Sequence, residues 1–340
     1  MSTDKHMTGI APDEIRDAVA AGILPQSQAS ALLDFVANRR AMPTEPDEEA
    51  LRFIRSFNDI FVTIAIGLVL FALASLLNEV SSAAAAMGIA IASWALAEYF
   101  TRRRRMAFPS IMLLGTFTVG VFFAALALAG LDMGDGLKPL PVGIGGIAAA
   151  GAASLHWLRF RVPITVAAGM GALVVLALAL SGLDKATPAV MLIGGLITLA
   201  VAMFFDIVDT RRITRKADIA FWLHMLAAPL IVHGLFTIMG ILSDNLSAAH
   251  AGIVLAFYLV FGLFALVIDR RALLVSSLIY VLYAASTLIA SSGFSDYSSG
   301  LTALVIGVFL LLLSAGWSVL RKSVLRFLPE TVRKLVPAAG

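Results

Sequence analysis

The chain has 340 residues, 60% hydrophobic and 14% charged, where soluble domains average roughly 45–50% apolar and about 25% charged, so an ordinary soluble protein is excluded. Its 21 Phe exclude intrinsic disorder, and the absence of Cys excludes a disulfide scaffold, a thiolate metal centre, a cysteine nucleophile and an iron–sulfur cluster. The net charge of +3 carries no nucleic-acid reading, because the basic residues cluster at the ends of apolar blocks.

Residues 1–57 are polar and read as a cytosolic helical hairpin and linker. Pro12-Asp13-Glu14 opens a helix with acid in its first turn, where the dipole favours it. Ile15, Ala18 and Val19 form its apolar stripe and Gly22 stops it. Pro25 starts a second helix, in which Ala29, Leu32, Leu33 and Val36 recur at helical spacing. Ala41 to Glu49, with Pro43, Pro46 and a run of acids, reads as the linker. Two short helices are marginal alone, so this hairpin is expected to dock on the rest of the chain, on a second copy or on a protein partner. No short apolar stretch precedes a small-residue cleavage site, and the first apolar span is expected to serve as an uncleaved signal anchor.

Residues 58–320 divide into ten apolar segments, each long enough to cross a hydrocarbon core of about 30 Å. In order they are Ile60–Leu77, Ser82–Phe100, Ala107–Gly130, Leu140–Leu158, Pro163–Ser181, Pro188–Phe205, Ile219–Leu242, Ala249–Ile268, Ala272–Ala290 and Leu301–Leu320. Pro109, Pro141, Pro163 and Pro188 fall in first turns, where a missing N–H costs nothing. Residues 321–340 alternate base with Val324, Leu325, Phe327, Leu328, Val332, Leu335 and Val336, the pattern of an amphipathic segment lying on anionic lipid headgroups. With this partition, Lys138 and Lys185 are the only basic residues outside the termini and alternate turns that share one side. Basic residues resist translocation, so the fold expected is an all-α polytopic membrane protein with both termini in the cytoplasm.

Ionisable groups near the bilayer centre are functional candidates by default. Most here sit close to span ends. Asp59, Glu98 (four residues before Arg102), Asp206 and Asp209 beside Arg211 and Arg212, Asp269 beside Arg270 and Arg271, and His156 near Arg159 are expected to cap helices or form ion pairs at the rim. The seventh span differs. Asp218 opens it, Trp222 and His224 follow, Pro229 lies near mid-depth and His233 comes a turn later. A proline there frees the carbonyl of Met225 and is expected to kink the helix. Two imidazoles and a free carbonyl near the midplane could serve a proton relay or a solute site. His224 and His233 are nine residues apart, about 180° net around a helix, so they should face opposite ways and form no metal site together. Trp222 and His233 share a face.

Gly143, Gly145, Gly146, Gly169, Gly171, Gly194 and Gly195 are expected to let helices approach closely, and Gly130-x-x-x-Gly134 is a weaker motif of the same kind. No metal-protease, nucleophile-elbow, phosphate-loop or paired-carboxylate motif occurs, so neither an enzyme nor a cofactor is expected.

Ala11 to Val36 is similar to the N-terminal hairpin of uncharacterised bacterial multi-pass membrane proteins. Asp206 to Phe236, with Asp218-Ile219-Ala220-Phe221-Trp222-Leu223-His224 and Ala227 to His233, resembles a segment of proteins of the same kind. That resemblance implies a bacterial inner membrane and transfers no activity. Two functions stay open. One is a small-solute permease, although an inverted repeat would match the seventh span to the second, which has no proline. The other is a non-transporting scaffold, sensor or assembly factor acting through its hairpin.

Overall fold

The structure is a computed structural model that describes residues 12–41, 57–130, 136–183, 186–210, 212, 214–241, 248–333 and 335–337. The expected linker beyond Ala41, Gly134 of the glycine pair, Lys185, Arg211 and Lys334 lie outside the described residues. Among the described residues there is no strand. The chain divides into two units, residues 1–48 and 49–339.

In the first unit, α1 (Pro12–Ala20) and α2 (Gln26–Ala41) form the hairpin. Gly22 takes φ +73°, which lets the Ile23 N–H reach back to the Ala18 carbonyl at 2.9 Å and the Gly22 N–H to Val19 at 3.0 Å. This closure satisfies carbonyls that the end of α1 would leave open. Ile15 and Ala29 are buried.

In the second unit, α3 (Phe57–Asn78) and α4 (Ser82–Ala97) lead into a π turn (Glu98–Arg103), followed by α5 (Ala107–Leu128) and α6 (Pro139–Phe160). Then come α7 (Ile164–Leu180), α8 (Thr187–Val208), α9 (Arg215–Ile238) and α10 (Ala248–Ile268). The last elements are α11 (Ala272–Ile289), α12 (Ser298–Ala315), α13 (Trp317–Arg326) and α14 (Glu330–Arg333). Eight helical runs among the described residues are long and apolar enough to cross a membrane, and α7 is a shorter apolar helix. Their outer faces carry exposed Phe61, Leu68, Phe71, Phe204, Leu259, Leu311 and Leu312, while Ala220, Ala227 and Ala228 are fully buried on α9 beside Phe221, Leu223 and Phe236. Large apolar residues on the outer surface and small ones at helix contacts are a pattern of helices packed in lipid.

One of the eight runs, Ser277–Ala315, is continuous by helical assignment yet folds back on itself. Gly293, at φ +92°, breaks it. The Trp317 indole N–H, just beyond α12, donates to Asp269 Oδ1, just before α11, at 2.8 Å. A straight helix rises 1.5 Å per residue and would hold those residues about 70 Å apart, so α11 and α12 are antiparallel. The tenth predicted span ends at Ala315 rather than Leu320, because Gly316 leaves helical geometry and α13 starts a separate amphipathic helix with Trp317, Arg321 and Leu325 on its buried face.

The expected kink is not a break: α9 is helical from Arg215 through Pro229 to Ile238. Close packing on α8 surrounds the proline. A Cβ on Gly195 would lie 2.8 Å from the Ile231 backbone nitrogen, and one on Gly234 would lie 2.6 Å from the Pro188 carbonyl oxygen. Gly146 approaches the Leu176 backbone on α7 in the same way, while Gly169 and Gly171 make only ordinary contacts. Gly120, which the sequence reading passed over, lies against the backbone of Ala86 and Ala90 on α4.

Gly234→Ala is expected to lower thermal stability in detergent by about 1–3 kcal/mol, because backbone on α8 cannot retreat as a side chain can. Gly151→Ala, which meets nothing within 4 Å, should leave the midpoint unchanged or raise it slightly.

Candidate functional site

The charged turns converge at one end of the second unit. A cluster of Ala167, Ala202, Ile219 and Leu223, with Trp157 and Phe205 packed on it, joins the ends of α6 and α8 to the starts of α7 and α9. Beside it lies a buried ion cluster drawn from α8, α9 and the α10–α11 turn. Asp206, near the end of α8, accepts from His224 Nε2 on α9 at 2.7 Å and from Arg270 Nε at 3.2 Å. Arg270 Nη2 closes a second contact to the other carboxylate oxygen and also reaches the Ala217 carbonyl at 3.2 Å. His224 is fully buried, and Asp206 and Arg270 are each 3% exposed. With Nε2 donating to the carboxylate, His224 Nδ1 is left buried and has no partner among the described residues.

Asp269, next to Arg270, faces the other way. Its Oδ2 accepts from Arg212 Nη1 at 3.1 Å, and its Oδ1 accepts from Trp317 and lies 3.6 Å from Arg321 Nε. Arg212 Nη2 also reaches the carbonyls of Ile268 and Asp269 at 2.9 and 2.7 Å. The Arg271 guanidinium lies 5.0 Å from the Trp317 ring centre, and Arg321 donates to the Pro337 carbonyl. The dipeptide Asp269-Arg270 thus ties α8 and α9 on one side to α13 and the C-terminal segment on the other. Asp209 clamps the α8–α9 turn by accepting from the Thr214 N–H at 2.9 Å and its hydroxyl at 2.6 Å.

A second, exposed group sits at the ends of α4 and α6. Glu98 accepts from Arg102 at 3.2 Å and from Arg159 through two contacts at 2.6 and 3.0 Å. The left-handed turn positions are divided by end. At this end they are occupied by Arg105, Arg161, Arg212 and Asp269, with φ between +52° and +56°. At the other end Gly130, Gly136, Gly182, Gly240 and Gly293 do that work, with Leu183 the exception. For a residue with a Cβ this conformation costs about 1–2 kcal/mol, and a cation at a helix C-terminus returns only about 0.3–1 kcal/mol. Arg212 and Asp269 engage each other; among the described residues, the guanidinium groups of Arg105 and Arg161 make no ion pair or hydrogen bond.

The residues expected to form a site on the seventh span are dispersed. His224 joins the ion cluster. His233 faces the opposite way and shares a hydrogen bond with the Tyr280 hydroxyl on α11 at 2.9 Å. Tyr280 in turn lines a narrow apolar cleft with Phe236, Phe257, Tyr258 and Phe261. Trp222 is half-buried against the Ala167–Leu223 cluster, and Asp218 is exposed, within electrostatic range of Arg270 and Arg215. Among the described residues no three His, Asp or Glu converge as metal ligands do.

The Glu98–Arg102 pair forms as its spacing implies, and Asp206 and Asp269 form ion pairs as expected, though with arginines of other segments than those beside them in sequence. Asp206 pairs with Arg270 and His224, and Asp269 with Arg212, because neighbours at a helix end point apart while separate turns meet. His156 is packed rather than ion-paired: it is fully buried, its Nδ1 lies 3.2 Å from the Thr165 hydroxyl, and Trp94, Phe117 and Phe160 surround the ring. Trp317 and Arg321 carried no local signal. The sorting of bases to one side did, since it assigned the charged turns to a common end.

No known protein family matches the chain, and no curated protein or solved structure resembles it.

Asp206→Ala strips Arg270 of its carboxylate in a buried setting and should cost about 3–5 kcal/mol, read as a fall in the detergent unfolding midpoint. Glu98→Gln removes an exposed ion pair and should leave that midpoint nearly unchanged.

Proposed function

We propose that the chain is a ten-span protein of a bacterial inner membrane, with both ends in the cytoplasm, that acts as a proton-linked permease for a small solute. Ten spans follow from counting α11 and α12 separately and from α7, whose 17 residues extend about 26 Å, near the hydrocarbon thickness. Gathering of the basic turns at one end supports a cytoplasmic assignment for that end. The observation that carries the permease reading is the Asp206–His224–Arg270 cluster. Burying such a group costs several kcal/mol per ion, and apolar replacements are often as stable, so its presence points to a use beyond holding the helices together. His224 and Asp206 are the proton-handling pair. His233 and Tyr280, with Pro229 one turn away, are the candidate solute contacts. On this reading the exposed Lys322, Arg326 and Phe327 rest the C-terminal segment on anionic lipid, and the N-terminal hairpin engages a protein partner or a second copy. A second reading, a non-transporting scaffold, sensor or assembly factor, is favoured by the close α8–α9 backbone contact on either side of Pro229.

In vesicles holding a pH-sensitive dye, a panel of small solutes should include one that drives proton movement through the wild type. His224→Ala should abolish that movement, and His233→Ala should slow solute uptake at least about tenfold with the protein still inserted. Wild-type uptake by His233→Ala would remove that residue from the site. The natural absence of Cys makes Ser292→Cys and Ser323→Cys clean reporters of sidedness. In intact cells a membrane-impermeant thiol reagent should label the first and not the second.

A further inference from the structure

We propose that the α4–α6 end holds a binding site for an anionic phospholipid headgroup, formed by Arg105 and Arg161. The site lies apart from the solute path and from the C-terminal segment. Both arginines are exposed and both occupy left-handed positions where glycine would relax the backbone. Positive charge needed only for membrane topology could sit at any neighbouring position without that strain. Keeping a guanidinium at two such positions implies a use for its fan of donors. Among the described residues no partner is left for it: Glu98 is already engaged by Arg102 and Arg159, and the Arg104 guanidinium lies 5.8 Å from the Tyr99 ring centre.

The Glu98–Arg159 bridge joins the segments that carry the two arginines, Arg105 seven residues after Glu98 and Arg161 two after Arg159. Exposed Leu155 and Leu158 on α6 offer an apolar surface beside it. Paired guanidinium groups next to an apolar helix face fit a phosphodiester attached to acyl chains. A free phosphate would share the charge contact but leave the leucines bare.

The test uses the purified full chain in detergent, with bound lipid counted by native mass spectrometry while dioleoylphosphatidylglycerol competes with dioleoylphosphatidylcholine. The wild type should retain phosphatidylglycerol preferentially. Arg105→Gly with Arg161→Gly should weaken that retention about tenfold while the unfolding midpoint holds or rises, since glycine suits both positions. Arg215→Gln with Lys216→Gln, which removes two exposed bases at the start of α9, should leave it intact, and excess inorganic phosphate should not displace the lipid. Wild-type retention by the double glycine variant would overturn the proposal. So would equal loss in the Arg215 and Lys216 variant, or displacement by phosphate, which would make the site one for a free anion.

Discussion

Between helices surrounded by hydrocarbon, burying a leucine gains almost nothing, because the lipid is as apolar as the neighbouring helix. What remains to hold such helices together is close backbone approach and polar contact. The second unit of this protein divides the two by depth. At mid-helix, Gly195 and Gly234 bring α8 and α9 together, and Gly146 and Gly120 do the same for α6 with α7 and for α5 with α4. At one end, carboxylates and arginines from separate turns interlock.

That division explains why Pro229 does not break α9. The proline leaves one helical hydrogen bond unmade, but the flanking Ala227, Ala228 and Ile231 are buried and Gly195 fits against the chain at Leu230 and Ile231. The polar cluster has the opposite character. Its stability depends on every member being present, because each ion left alone in a buried setting is costly. Asp269 and Arg270, adjacent in sequence, engage partners on different elements, so the α10–α11 turn couples the α8–α9 pair to α13 and the C-terminal segment.

The two ends of the bundle follow different rules for the same backbone geometry. Turns at one end relieve left-handed φ with glycine; turns at the other keep arginine or aspartate there. In two cases the side chains repay the strain within the chain, through the Arg212–Asp269 pair. In the other two the guanidinium groups face outward, where an interface would meet them.

The sequence by itself determined the apolar helices, their approximate ends and the sorting of basic residues onto one set of turns. These are properties of local composition and of period, and a helix in lipid must satisfy its own backbone whatever surrounds it. Even the opposed directions of His224 and His233 followed from helical geometry alone. Only the tertiary structure decided which charges meet. Asp206 and Arg270 are 64 residues apart, and nothing in either neighbourhood selects the other over the nearer arginines. The same holds for Trp317 with Asp269 and for His156 within its ring of aromatics. Pairing across turns depends on how far each helix end projects and how it is rotated, and those are set by packing of the whole bundle rather than by any one segment.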